Sequence, residues 1–313
     1  MSYALRRVLQ LIPILFVITF LSYGLMHLAG SDAVMQKMEV TGMVASPEVL
    51  AAMRRELGLD KPFLEQYFIW LGNLLQGDMG VSYLTGLDVF DTFLSKLPAT
   101  LLLTVLAVGL TVVISIPLGV LAAVRKDRWT DRLVRAASFI GNSSPNFFTA
   151  LLLMYVFAIR LGWLPVLSQG VNPAAAALPT LTLAIAMSAK YLRQVRATVL
   201  DELGKPYVEG ARARGVPFTR TLVFSVMRAC LVTILTLLSL SIGSLLGGTA
   251  IVESIFLWDG VGKLAVDAIR MRDYPMIQAY VMWMAVIYVL VNLVADLSYR
   301  LLDPRIRLQE RQG

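Results

Sequence analysis

Nine residues, Tyr207-Val-Glu-Gly-Ala-Arg-Ala-Arg-Gly215, combine a short basic helix with a glycine turn. None of them is arranged to make or break a covalent bond. Their chemistry is that of docking: Tyr207, Glu209, Ala211 and Arg212 lie on a helix a partner can grip, Glu209 can pair with a partner cation, and Gly215 lets the backbone reverse. Residues with catalytic potential are scarce. The single histidine, His27, sits beside Met26 near the end of an apolar run, where an interfacial side chain is the ordinary role, and a Ser–His hydrolase would depend on it alone. No His-Glu-x-x-His and no paired-cysteine pattern occurs, so no metal centre is expected. The lone Cys230 excludes an intrachain disulfide and reads as a small buried side chain. Gly204-Lys205-Pro206 and Gly260-Val-Gly-Lys-Leu264 lack both the earlier glycine and the following Ser or Thr of a phosphate-binding loop. Energy must therefore come from another subunit or from an ion gradient.

A second constellation is polar. Asn142-Ser143-Ser144-Pro145-Asn146 interrupts an apolar stretch, and Gly243-Ser244 and Gly247-Gly248-Thr249 lie in a later one. Proline and polar groups at membrane depth are tolerated where they meet other helices or a water-filled cavity, so Asn142, Ser143, Ser144, Asn146, Ser244 and Thr249 are candidates to line a pathway. The first cluster reads equally well as a helix start, with Ser144 as cap and Pro145 in the first turn. The glycines serve either tight helix packing or a moving interface.

The elements that carry these residues belong to a membrane. Of 313 residues, 57% are apolar and 16% charged, and the mean hydropathy is +0.70. Six runs are long enough to cross a bilayer at ~20 residues each: about Val8 to Leu28, Ala99 to Val124, Ala136 to Ile159, Leu178 to Tyr191, Ala229 to Val252 and Ile277 to Leu301. The first exceeds the ~7–15 apolar residues of a secretory signal and is read as a retained span. The expected fold is an all-α membrane protein of six transmembrane helices, with a small outer-face helical domain after the first. Its divisions are 1–28 (amino terminus and first span), 29–97 (outer segment), 98–301 (the other five spans, with a cytoplasmic loop at 199–220) and a tail at 302–313.

Within the outer segment, Ser46-Pro47-Glu48 starts a helix that Gly58 stops, with Ser46 as N-cap and Glu48 favourable to the dipole. A second helix, Phe63 to Leu75, puts Tyr67, Trp70, Leu71 and Leu74 on one face. Tyr67, Trp70 and Tyr83 fit either the lipid headgroup level or that domain's core. Positive charge sets the orientation. Arg6 and Arg7, five cations from Arg125 to Arg135, eight from Lys190 to Arg228 and four from Arg300 to Arg311 fall on one side if both termini are cytoplasmic. The net charge of +7 is thus an inner rim beside lipid, and nucleic acid is not an expected partner.

The stretch from Tyr207 to Gly215 resembles the "EAA" coupling loop of bacterial ABC-importer permeases, with Glu209, Ala211 and Gly215 at the acidic, alanine and glycine positions and Gly210 where that family has its middle alanine. Leu97-Pro-Ala-Thr100, Ser115-Ile-Pro-Leu-Gly119, Gly162-Trp-Leu-Pro165, Arg272-Asp-Tyr-Pro275 and Asp303-Pro-Arg-Ile-Arg307 are similar to the dipeptide, oligopeptide and nickel permeases, and the likeness runs nearly end to end. Asp259 departs from a usual proline, and so does Thr233. The resemblance implies the first of two homologous permeases in a bacterial inner-membrane importer, with two ATPase subunits that bind ATP and magnesium and an extracytoplasmic solute-binding protein. The segment from Asp201 to Thr219 would then dock on an ATPase, and this chain would carry no catalytic residue. The pattern from Pro47-Glu48 through Leu57-Gly-Leu-Asp60 to Gln66-Tyr67, with Thr85-Gly86, looks more like the nickel branch, so chelated nickel or a short peptide is the expected solute. Two other classes stay open: a gradient-driven transporter, which would show buried carboxylates in its spans where only Asp296 is found, and an intramembrane hydrolase relying on His27.

Overall fold

The computed structural model describes residues 3–28, 34, 38, 46–56, 58–167 and 172–302. Among these the chain is helical, apart from loops and one isolated bridge between Val81 and Asp88. The helices are α1 (Tyr3–Leu28), α2 (Pro47–Glu56), α3 (Phe63–Leu75), α4 (Val89–Val124), α5 (Trp129–Ser143), α6 (Asn146–Leu153), α7 (Pro173–Leu203), α8 (Pro206–Ala213), α9 (Phe218–Thr221), α10 (Met227–Phe256), α11 (Val261–Arg270) and α12 (Tyr274–Leu302). Two π-helical segments, Met154–Arg160 and Leu222–Val226, continue α6 and join α9 to α10.

Four described helices are long and apolar enough to cross a membrane: α4, α7, Phe218–Ser239 and Tyr274–Val294. A fifth span results if Trp129–Ser143 and Asn146–Arg160 count as one, bent by 104°, and α1 adds a shorter described apolar stretch, Ile12–Leu28. The chain is an all-α membrane protein. Its helices outrun the apolar runs: α4 begins at Val89 rather than Ala99, and α7 covers 31 residues because Asn172 Oδ1 caps it, accepting from Ala175 N at 2.8 Å, with Pro173 in the first turn. Thr233 stands inside the unbroken α10.

Two compact units are formed, one of residues 1–99 and 259–289, the other of 100–258 and 290–313. In the first, α2 and α3 start and stop as the sequence predicts, with Ser46 Oγ accepting from Val49 N at 3.5 Å and Leu59 N donating to Arg54 O at 2.8 Å. Tyr67 takes the core position of the two open to it. It is fully buried among Phe16, Phe20 and Tyr23, with ring centroids 5.2–5.9 Å away, and its hydroxyl meets Thr19 Oγ1 at 3.0 Å. A second cluster joins Met79 and Val89 to Ala268, Met276 and Ala279. Asp273, 3% exposed, ties the loop after α3 to the start of α12, its carboxylate accepting from Ser82 Oγ and, at 3.1 Å, from Tyr83 N. Asp259 pairs with Lys96.

The second unit is built around α7. Its apolar window is 67% buried, against 28%, 28% and 6% for the other three spans, so α7 is the helix enclosed by protein. Glycines make that enclosure possible: a Cβ on Gly119 of α4 would lie 2.8 Å from Val195 Cβ, and one on Gly141 of α5 2.9 Å from Ala189 Cβ, closer than carbon atoms approach. Arg196 of α7 and Asp131 of α5 add a bidentate ion pair at 2.6 and 2.7 Å, with Asp131 fully buried and accepting also from Asp127 N at 3.0 Å.

Candidate functional site

The segment expected to couple to an ATPase is held by the end of α7. Gly204 closes that helix, and Glu202, 9% exposed, receives Lys205 Nζ at 2.5 Å and the Tyr207 hydroxyl at 3.1 Å. Burial first, then the bond to Glu202, pushes the Tyr207 phenol from its ordinary 10.0 up to about 12. The Glu202 carboxylate likewise raises Lys205. Both shifts are upward, so the stabilisation from the Tyr207 and Lys205 protons is present at neutral pH and is lost as the pH rises through their folded values.

Helix α8 starts with Pro206 in its first turn, carries Glu209 near the positive end of its dipole and Arg212 near the negative end, and so places both charges where the macrodipole favours them. It ends in a paired turn: Gly215 N donates to Arg212 O at 3.0 Å and Val216 N to Ala211 O at 3.1 Å, with Gly215 at φ +77°. Pro217 follows and launches α9. Tyr207, Glu209 and Arg212 are exposed, whereas Ala211 is 8% exposed and turned into the chain's own interior. The alanine thus keeps α8 seated on its own unit, and the exposed three present the face. Gly210 tolerates the family's alanine, because an added Cβ would meet nothing nearer than Arg214 Nη1 at 3.4 Å.

The polar constellation forms the corner of the bent pair. Ser144 ends α5, its hydroxyl donating to Ile140 O at 3.0 Å, and Pro145 precedes α6, so Ser144 is not the cap that a helix start would need. Asn142, Ser144 and Asn146 line a cleft of about 230 Å³ together with Lys190 and Tyr191 of α7 and Leu245 and Gly248 of α10. This arrangement brings the third and fifth predicted spans to one place. Ser143 is exposed beside the cleft but does not line it, and Thr249 is buried. Ser244 belongs to α10, and its side chain lies outside the described ones. Around Gly247 and Gly248 an added Cβ would meet nothing within 4 Å, so these residues do not pack helices tightly within this chain; Gly119 and Gly141 do.

Sequence reasoning missed three groups. Glu253, fully buried and accepting from Thr100 Oγ1 at 2.8 Å, lies in α10 just past the predicted end of the fifth span, so Asp296 is not the only acid of these helices. Asp131 and Arg196 are 65 residues apart and carry no local signature. Lys190 was counted as a loop cation but stands at the cleft.

These features belong to a known class. Residues 115–308 match the family of binding-protein-dependent transport system inner membrane components, and residues 1–104 match the amino-terminal component of the same transport systems. The chain belongs to that family. It is 36% identical over 307 residues, 98% of this chain and 99% of the relative, to the glutathione transport system permease protein GsiC of Escherichia coli (strain K12), and likewise to that of Shigella flexneri serotype 5b (strain 8401). Its fold is similar to an inward-facing conformation of the MetNI methionine ABC transporter, with a TM-score of 0.58 and 17% identity over 67% of this chain and 96% of that one. The chain is thus the multi-pass permease subunit of a binding-protein-dependent ABC importer of the bacterial inner membrane. It is not itself an enzyme, since ATP hydrolysis belongs to a separate partner subunit, and a solute-binding protein is the other implied partner. The gradient-driven transporter and the intramembrane hydrolase are set aside by this assignment.

Proposed function

We propose that this permease pairs with a second, homologous permease and two ATPase subunits to import short peptides, with both termini in the cytoplasm. The single observation that carries the reading is the built face of α8: Tyr207, Glu209 and Arg212 are presented outward while Glu202, Lys205 and the Gly215 turn fix the helix to α7. ATPase closure would act on that face, and the cleft of Asn142, Ser144 and Asn146 would form part of the route. Peptide is preferred over nickel because the relatives are glutathione permeases, and glutathione is a tripeptide. The nickel-like pattern of residues 47–86 is weaker support than likeness across the whole chain. Open space at Gly247 and Gly248 supports the second permease as their neighbour.

Uptake tests the solute. Cells lacking this subunit are expected to lose uptake of labelled tripeptides, glutathione included, and to keep nickel uptake; the reverse pattern overturns the peptide reading. Labelling tests the orientation. Cysteine placed at Glu48 or Lys263 should react with a membrane-impermeant maleimide in intact cells, and cysteine at Arg128 or Arg212 should not. The native Cys230 is buried and gives little background. Reaction at Arg212 with protection at Glu48 would invert the orientation.

A further inference from the structure

The first unit contains a second cleft, of about 340 Å³, formed by the end of α1, one face of α3, the loop after it and the start of α12. It is separate from the coupling face and from the cleft at Asn142. Its walls include four aromatic side chains, Tyr23 and Trp70 at 5.5 Å between ring centroids and Tyr83 and Tyr274 also lining it. Its polar side chains include His27, Gln66, Asn73, Asp78 and Gln278, of which Gln66 is already held by Leu59 O and Lys61 O. Gln278 of α12 is 9% exposed, lines the cleft, and its side-chain amide makes no hydrogen bond to the protein among the described residues. That amide is open to the cleft, where a water or a ligand can pair with it. Asp78 contributes a carboxylate, of which Oδ1 accepts from Gly80 N at 2.8 Å. A half-open cleft with aromatic and apolar walls and a small set of polar side chains has the usual composition of a small-molecule site, and the volume lies in the range of such sites.

The chemistry selects the ligand. Aromatic faces beside a carboxylate attract an ammonium group, and a carboxamide pairs with a peptide bond by donating and accepting at once. We propose that this cleft binds the amino-terminal end of a short peptide, the ammonium group against Asp78 and the aromatic wall and the first peptide bond against Gln278. The proposal rests on the peptide-import reading above and gives the permease a solute site of its own, on the segment read as facing outward. A peptide handed over there is held by its amino end and first peptide bond, features that do not depend on side-chain composition, so the site selects for class rather than sequence.

The test is equilibrium binding of radiolabelled trialanine to the assembled membrane complex, reconstituted in nanodiscs without its solute-binding protein. Saturable binding is expected, weakened about tenfold by Gln278→Leu, by Asp78→Asn and by N-acetylation of the peptide. Asp78→Asn keeps the oxygen that accepts from Gly80, so the loop persists and only the charge is lost. Equal binding by wild type and both variants overturns the site. Import of trialanine by the complete transporter without binding to this complex also overturns it and leaves the peptide reading standing. Binding that Gln278→Leu weakens, in a transporter that does not import trialanine, retains the site and overturns the peptide reading.

Discussion

Gly215→Val is expected to reduce import to background while the chain still inserts normally in the membrane. Gly215 holds φ at +77°, a left-handed conformation that costs an L-residue roughly 1–2 kcal/mol, and more for a β-branched one. The space around it is open, with nothing within 4 Å of an added Cβ, so the damage comes from the backbone and not from crowding inside the chain. The two hydrogen bonds that close α8 must then break or bend, and Pro217 and α9 leave in another direction. The exposed face of Tyr207, Glu209 and Arg212 would be presented wrongly to its partner. Gly215→Asn, which tolerates the left-handed region, should retain most of the transport, and Arg220→Ala at the edge of the segment should matter little. Uptake is measured beside the amount of chain in the membrane fraction. Full uptake by Gly215→Val would remove the turn from the mechanism.

Asp131→Ala is expected to have the largest effect on stability, about 3–5 kcal/mol, because it leaves Arg196 without the bidentate partner that joins α5 to α7. Burial decides the size: Asp131 is fully enclosed, and the Arg196 side chain is only 17% exposed. The double change Asp131→Leu with Arg196→Leu removes both charges and should recover part of the loss, since two apolar side chains need no partner. Thermal unfolding of the purified chain in one detergent compares the three proteins. If the single and double variants unfold alike, the pair is not what holds the helices.

The parts of this fold that the sequence showed are those whose signal is local. The second helix of the outer segment, Phe63–Leu75, follows from its apolar period, and the reversal at Gly215 follows from a glycine after a basic last turn. The start of α4 was ten residues late because Asp91, Thr92, Ser95 and Lys96 are polar, and an apolar-run criterion measures membrane depth rather than helix length. Glu253 was missed for the same reason. The corner at Asn142–Asn146 was visible as an interruption, but an interruption does not state an angle; the 104° bend falls at Ser144–Pro145, and α5 lies against α7 where Gly141 meets Ala189. Of the two readings open for Gly247 and Gly248, tight packing is found at Gly119 and Gly141 instead, because a glycine reports only that a side chain is absent and not which neighbour approaches. In the site, Asn142, Ser144 and Asn146 were found as polar groups in an apolar run, whereas Lys190 was hidden among loop cations.

Helix α7 has a mechanical property that follows from where it is gripped. At ~1.5 Å per residue its 31 residues extend over about 46 Å. The close contacts at Ala189 and Val195, with Arg196 beside them, lie about 11–21 Å from its Leu203 end and about 24–35 Å from its Pro173 end. The helix is therefore a lever with an off-centre fulcrum. Its short arm is tied through Glu202 to the helix that partners can hold, and its long arm reaches the opposite end of the span. For a rigid helix, a sideways movement of 1 Å imposed at the short arm would swing the far end by roughly 2 Å.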